Sequence, residues 1–431
     1  MSLMQVLYWF AFISLLAFSW SRSRGILHPH FMFCVMLFIL ASDFMIRGME
    51  DQNLQWIMKE DLTRYQLATL VTLIGIGITT SVVRRPYEAG IAIVRPEMSV
   101  TASTARYLLL ISIAVVLIHT GFRLNAVGWS GHDLLDQMFG PRDTRLWDQV
   151  GDDGTRNPVY QLFNGMIPLT AIAFAFVLFS RHTGSALAAA AFLGLSLFIL
   201  VTDGSRTQAI IPMASLAIFG LMSLRSFVAK ATLLVGVVGL IALATSAMYL
   251  FRAQGIENSA NSFALTYHQD DSIYRIWSAC AFADFSNYRW DPLYFFYYVI
   301  SLPFPRTLWP GKPLLTEDFY GGFKLWYTTT TFIGEWVAML GVWLGFVAAF
   351  VFGNLLYRAF YLSQKLLNLP FGLPAYLLVA LYTYMVMRSM PNMSMFIFAP
   401  AAALILVYIA RRRRVGGNSQ AGTGGSPAWS N

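Results

Sequence analysis

Eleven stretches of this chain run for about twenty residues with almost no charge, and that repetition constrains the fold more than any other feature. They lie near 2–20, 26–46, 67–83, 107–122, 160–179, 186–202, 209–224, 231–250, 331–357, 371–387 and 395–410. Hydrocarbon offers no partner to a backbone N–H or C=O, so each run must pair its own backbone, which makes it a helix. The period-two alternation of a membrane barrel is absent. Composition agrees: 57% of the 431 residues are hydrophobic and 12% are charged, against about a quarter charged in a water-soluble chain. The expected fold is an all-α polytopic membrane protein with about eleven transmembrane helices.

Orientation follows from the basic residues. The loops after spans 1, 3, 5, 7 and 9, with the tail, hold fifteen basic residues and two acids, Glu88 and Glu97. The opposite loops hold fifteen basic residues and eighteen acids over about twice the length. The basic-dense side is expected to be cytoplasmic, which places the N-terminus outside and the C-terminus inside. The net charge of +8 is thus spent on membrane orientation, ending in Arg411–Arg414, and nucleic acid is not an expected partner. The run from Ser2 to Trp20 lacks a basic leader and a small-residue cleavage site, so it reads as a retained span. The stretch 293–304 is apolar and aromatic but too short to span, and crossing there would put Arg411–Arg414 outside. It is expected to be an interfacial or re-entrant helix.

The chain then divides into residues 1–250, spans 1 to 8 with an external loop at 123–159; 251–330, a large external loop with short interfacial helices; 331–410, spans 9 to 11; and 411–431, a basic tail expected to be disordered. The two large loops put the working surface on the external, periplasmic side. Cys34 falls in a span and Cys280 in a loop, so they are not expected to pair, and no zinc-type spacing exists.

Polar residues against this background are few. Asp203-Gly204-Ser205-Arg206-Thr207 connects spans 6 and 7. Arg206 is open to two readings, an interfacial anchor salted to Asp203 or a cation offered to an anionic ligand, with the positive end of helix 7 beside it. In the long loop, Arg252 precedes a cluster holding His268, Asp270, Asp271 and Arg275. His268 titrates near neutrality and could accept a proton; the Asp270–Asp271 pair has no second carboxylate set to complete a metal cage. Pro303–Pro313 reads PFPRTLWPGKP, four prolines that stiffen a segment carrying Arg306, Trp309 and Lys312. A headgroup-contacting loop is its simplest role; recognition of oxyanions by Arg306 and of a sugar face by Trp309 is the functional one. Glu335, in Gly334-Glu335-Trp336, stands about one turn into span 9, and an intramembrane carboxylate points to function. The glycines at 341 and 345 read as packing.

On these residues the chain resembles the Wzy-type oligosaccharide repeat-unit polymerases, the O-antigen polymerase class. The match lies in the span plan, the large external loop in the second half, GSRT at Gly204–Thr207, PFPRTLWPGKP at Pro303–Pro313, and GEW with following glycines at Gly334–Gly345. Elsewhere the likeness is one of hydropathy alone.

The resemblance implies a GT-C-like helical arrangement in a bacterial inner membrane. It implies a glycosyltransferase that uses undecaprenyl-diphosphate-linked glycan, with membrane lipid around it and a chain-length regulator as a protein partner. The growing chain moves as a block from its lipid diphosphate onto an incoming lipid-linked unit. Cations in a water-poor site would stabilise the departing diphosphate: Arg206 first, then Arg306, assisted by Arg275, Arg252 and Lys312. The acceptor hydroxyl needs a base or an orienting acceptor, a role open to His268 or Glu335 and also to Asp203, Asp270 or Asp271. No cofactor and no metal is expected. An O-antigen ligase-like enzyme shares the donor chemistry and differs only in acceptor. A transporter of polysaccharide or lipid-linked oligosaccharide is the alternative from another class, and related halves with midplane polar groups would mark it.

Overall fold

The computed structural model describes residues 2–23, 27–47, 59–82, 102–139, 146, 158–180, 183–202, 206–224, 226–253, 272–285, 289–301, 309, 311, 331–368 and 372–390. Among these the chain is all-helical, with no strand. The helices are α1 (Leu3–Ser23), α2 (Pro29–Arg47), α3 (Lys59–Val82), α4 (Ala102–Ala126), α5 (Gly131–Phe139), α6 (Pro158–Phe179) and α7 (Thr183–Thr202). There follow α8 (Arg206–Ser223), α9 (Phe227–Ala253), α10 (Ser272–Phe285), α11 (Pro292–Ser301), α12 (Phe332–Leu340), α13 (Val342–Leu362) and α14 (Gly372–Arg388).

Helix occupies each expected segment as far as 387, and the segment 395–410 lies outside the described residues. Among the described residues, five helical stretches are long and apolar enough to cross a membrane: Leu3–Ser23, Leu62–Val82, Ala105–Ala126, Ser185–Thr202 and Val342–Leu367. Their surfaces carry large apolar side chains outward, among them Phe10, Val71, Leu110, Leu187 and Val347. Water would penalise such faces and lipid would not, so the protein is membrane-embedded. Pro168 and Pro212 stand inside α6 and α8, as neighbouring membrane helices permit.

The helices form two compact units, neither continuous in sequence. The first takes Met1–Val94, Gln269–Leu366 and Val379–Pro400; the second takes Arg95–His268, Leu367–Leu378 and Ala401–Asn431. In the first unit, α1, α2, α3 and α13 pack side by side, and small residues set the spacing. Gly77 of α3 lies against Leu15, and Gly353 of α13 lies against Ile76, so close that a Cβ on either would collide with the side chain opposite. Thr79 donates to the Asn354 Oδ1 at 2.8 Å across the same interface.

Helix α10 packs on α2, α3, α12 and α13. Trp277 is fully buried and meets Phe44 edge-on with ring centroids 4.9 Å apart. Cys280 on the same helix is also buried and, like Cys34, a free thiol. A segment expected to be external loop is therefore partly a core helix. The stretch 293–304 gives α11, ten residues long, too short to span as expected.

The expected ninth span, 331–357, is two helices. Gly341 takes φ 81°, a left-handed backbone region that only glycine enters cheaply, and it ends α12 before α13 begins. The chain reverses there. Phe332 meets Phe352 with centroids 5.9 Å apart, and a Cβ on Gly345 would stand 2.5 Å from the Val337 Cα. Residues 332 and 337 thus face 352 and 345, which makes α12 and α13 an antiparallel hairpin.

In the second unit α6 is central, packed on α4, α7 and α8. Its contacts fix directions. His119 of α4 meets Tyr160 at the start of α6, Phe174 meets Phe192 of α7, and Phe176 meets Phe219 of α8. Gly220 approaches Leu233 of α9. The C-terminal ends of α4, α7 and α9 and the N-terminal ends of α6 and α8 therefore share one end of this unit. Helix α5 lies over that end, with Val127, Met138 and Tyr160 packed together. Gly128 and Trp129, both at positive φ, turn the chain into it.

Candidate functional site

The Glu335 carboxylate is the best-defined polar centre of the first unit. Thr331 caps α12, its hydroxyl accepting from the Gly334 N–H at 3.5 Å, and Glu335 stands in the first turn, where a negative charge meets the positive end of the helix. The residue is 1% exposed. Its Oε1 accepts from the Ser389 hydroxyl at 2.9 Å and its Oε2 from the Met390 N–H at 2.7 Å. Both donors lie just past the end of α14, where half-buried Arg388 closes the helix.

Around it, Tyr298 of α11 is a near neighbour: burial and then the Glu335 charge push its phenol up to about 12. The Trp290 N–H donates to the Ala338 carbonyl at 3.0 Å, and the Arg289 guanidinium lies over Gly341. The hairpin alters the expected placing of Glu335. The residue does not lie on the spanning helix itself but on the short helix folded back along it, level with the stretch of α13 between Gly345 and Phe352. That is roughly 5–15 Å along from the α13 start.

Each oxygen of a carboxylate offers two lone pairs, and at Glu335 one on each is engaged. The remaining pairs, unengaged among the described residues, suit orienting a hydroxyl or receiving its proton. Two fixed donors hold the group in one rotamer, as acid–base chemistry at a defined atom requires.

Of the other residues singled out in the sequence, Arg275 is half-buried on α10. Trp309 packs edge-on against Tyr297 at 5.3 Å. Arg206 begins α8 and Arg252 lies in the last turn of α9, which sets both at the shared end of the second unit. Asp203, His268, Asp270, Asp271, Arg306 and Lys312 lie outside the described residues. Arg206, Arg252, Asp203 and His268 belong to the second unit and the rest to the first.

Two polar clusters lie outside the residues singled out in the sequence. Asp284 of α10 accepts from Arg64 and from the Tyr65 hydroxyl of α3, each at 2.6 Å. In the second unit, His119 and Arg123 of α4 are 0% and 1% exposed. Both ring nitrogens of His119 and the Asn164 Oδ1 of α6 are buried without a hydrogen-bond partner among the described residues. Their spacing, i and i+4 at the end of a span, was visible, but an arginine there reads first as a membrane anchor. On exposed α5, His132, Asp133 and Asp136 bring ligand atoms within 4.8 Å of one another, a solvated cluster with His132 paired to Asp136.

Comparison with protein-family models, with curated proteins and with solved structures gives no match to this chain.

Proposed function

We propose that this chain is a membrane-embedded glycosyltransferase that polymerises lipid-diphosphate-linked oligosaccharide units by block transfer. In this reading it has eleven spans in a GT-C-like arrangement and sits in a bacterial inner membrane, N-terminus periplasmic and C-terminus cytoplasmic. The observation that carries it is Glu335. A carboxylate buried within a helical hairpin and held by two donors is costly to build, and its free lone pairs suit it to a sugar hydroxyl.

The donor side falls to cations. As the glycosidic bond breaks, the electron pair leaves with the diphosphate, and guanidinium groups stabilise the added charge. Arg206, Arg252 and Arg275 are the candidates among the described residues, and Arg306 and Lys312 are the others. Asp203, Asp270 and Asp271 would hold these cations or the glycan. His268 competes with Glu335 for the proton.

The test is a gel of products from purified protein and its undecaprenyl-diphosphate-linked repeat unit. A ladder of polymer supports the reading. No ladder without lipid A core, but transfer once it is added, identifies a ligase. The broken hairpin at Gly341 also suits a transporter, whose binding sites use discontinuous helices. Movement of the lipid-linked unit across proteoliposomes with no new glycosidic bond would establish that reading.

A further inference from the structure

We propose that the Tyr298 phenol and the Glu335 carboxylate hold one sugar hydroxyl between them and so form the acceptor subsite. The inference deepens the function proposed above: it rests on that reading for the reaction and adds Tyr298 as the group that orients the hydroxyl.

Geometry carries the argument. The chain enters α11 with the Trp290 N–H bonded to the Ala338 carbonyl at 3.0 Å, and Phe296 then meets Trp336 with ring centroids 5.8 Å apart. Later residues of α11 thus meet earlier residues of α12, and the next step in that register sets Tyr298 against Glu335. The Ser301 hydroxyl donates to the Tyr298 carbonyl at 2.8 Å and ties down the end of α11. Tyr298, Glu335, Ser389 and Met390 all belong to the first unit.

The phenol lies within electrostatic reach of the carboxylate. Burial and then that charge raise it to about 12, so it keeps its proton and remains a donor. Yet no hydrogen bond joins the two groups, and the phenol has no other hydrogen-bond partner among the described residues. Glu335 takes its two donors from the end of α14, which leaves a lone pair on each oxygen unengaged among the described residues. A donor O–H and an acceptor carboxylate that stand close without bonding fit a third group carrying both functions. A sugar hydroxyl is such a group. An anion is not, because the Glu335 charge would repel it.

The step balances with these two groups alone on the acceptor side. The hydroxyl oxygen accepts from Tyr298 through one lone pair and attacks the anomeric carbon of the donor glycan with the other. Its proton passes to Glu335, a C–O bond forms, and the bond from the anomeric carbon to the diphosphate breaks, its electron pair leaving on the diphosphate.

The test uses full-length protein in phosphatidylcholine nanodiscs and has two arms. In the first, Y298C is treated with a cationic trimethylammonium-ethyl and an anionic sulfonatoethyl methanethiosulfonate; Cys34 and Cys280 are buried and add little background. The cationic reagent should react faster by roughly fivefold to fiftyfold, and Y298C/E335Q should lose that preference. No reaction at position 298, or a preference that survives E335Q, overturns the proposal. In the second arm, Y298F should slow turnover of the undecaprenyl-diphosphate-linked repeat unit by roughly fivefold to tenfold, with KM nearly unchanged. Y298F/E335Q should be no slower than E335Q alone, because the two groups act on one hydroxyl. Parent-like turnover by Y298F overturns the proposal, since the gap would then hold water only. Charge-selective labelling without polymer from the parent removes the polymerase reading and leaves a site for a hydroxylated ligand. Polymer with no charge preference at position 298 does the reverse.

Discussion

The Ser389 hydroxyl donates to the Glu335 Oε1 at 2.9 Å, joining two residues 54 apart in the sequence. With the Met390 N–H on the other oxygen, this contact fixes both the depth and the rotamer of the buried carboxylate. Removing the charge and removing the clamp should therefore have different effects. Glu335→Gln keeps the shape but turns one acceptor oxygen into an NH2 donor and loses basicity, so product formation should drop by roughly a hundred- to ten-thousand-fold. Ser389→Ala leaves one oxygen clamped and should cost about fivefold. Rates from the lipid-linked substrate give the comparison, and equal, mild losses would exclude Glu335 as the base.

Arg206→Ala should abolish polymer while the protein remains in the membrane at parental level. Long-chain product from that variant would remove Arg206 from the donor site. His268→Ala supplies the counterpart to Glu335→Gln: a strong effect from only one of the two identifies the proton acceptor. The readouts are a product gel and a blot of the membrane fraction.

Gly345→Ala should lower the stability of the protein in detergent by about 1–3 kcal/mol, the usual cost of overpacking. The added Cβ would stand 2.5 Å from the Val337 Cα, 2.7 Å from its nitrogen and 2.9 Å from the Trp336 carbonyl oxygen, all backbone atoms with little freedom to yield. Gly121→Ala meets nothing within 4 Å and should be neutral or slightly stabilising. Thermal unfolding of the pair checks the hairpin.

Cys280 and Cys34 are both 0% exposed, so a maleimide should label neither in the native protein and both after denaturation. Fast native labelling at Cys280 would show that α10 is not packed as the structure has it.

Most helix positions were legible because lipid imposes one rule on the whole chain: a long uncharged run must pair its own backbone. The break at Gly341 was not. Hydropathy sums over 331–357 without interruption, while the reversal depends on one dihedral and on a glycine four residues later. Helix α10 was missed for the opposite reason. Its polar flanks suggested exposure, and only the burial of Trp277 and Tyr274 shows where it packs.

Glu335 was visible as a lone carboxylate among apolar residues. Ser389 and Met390 were not, since one is a common hydroxyl and the other contributes a backbone N–H. Arg123 and His119 were counted toward orientation or passed over, because a charge at a span end has a bland role whenever water or lipid headgroups are near. The burial of His119 comes with Tyr160 of α6 stacked on its ring, which no local pattern encodes.

The unequal hairpin also bears on how the protein is made. At nine residues, α12 is about 14 Å long, under half of a hydrocarbon layer about 30 Å thick. A translocon sampling the nascent chain would find in it no segment able to stay in lipid alone. Helix α12 must await the synthesis of α13 and enter the bilayer as its passenger, and Glu335 gains its two donors only once α14 has followed.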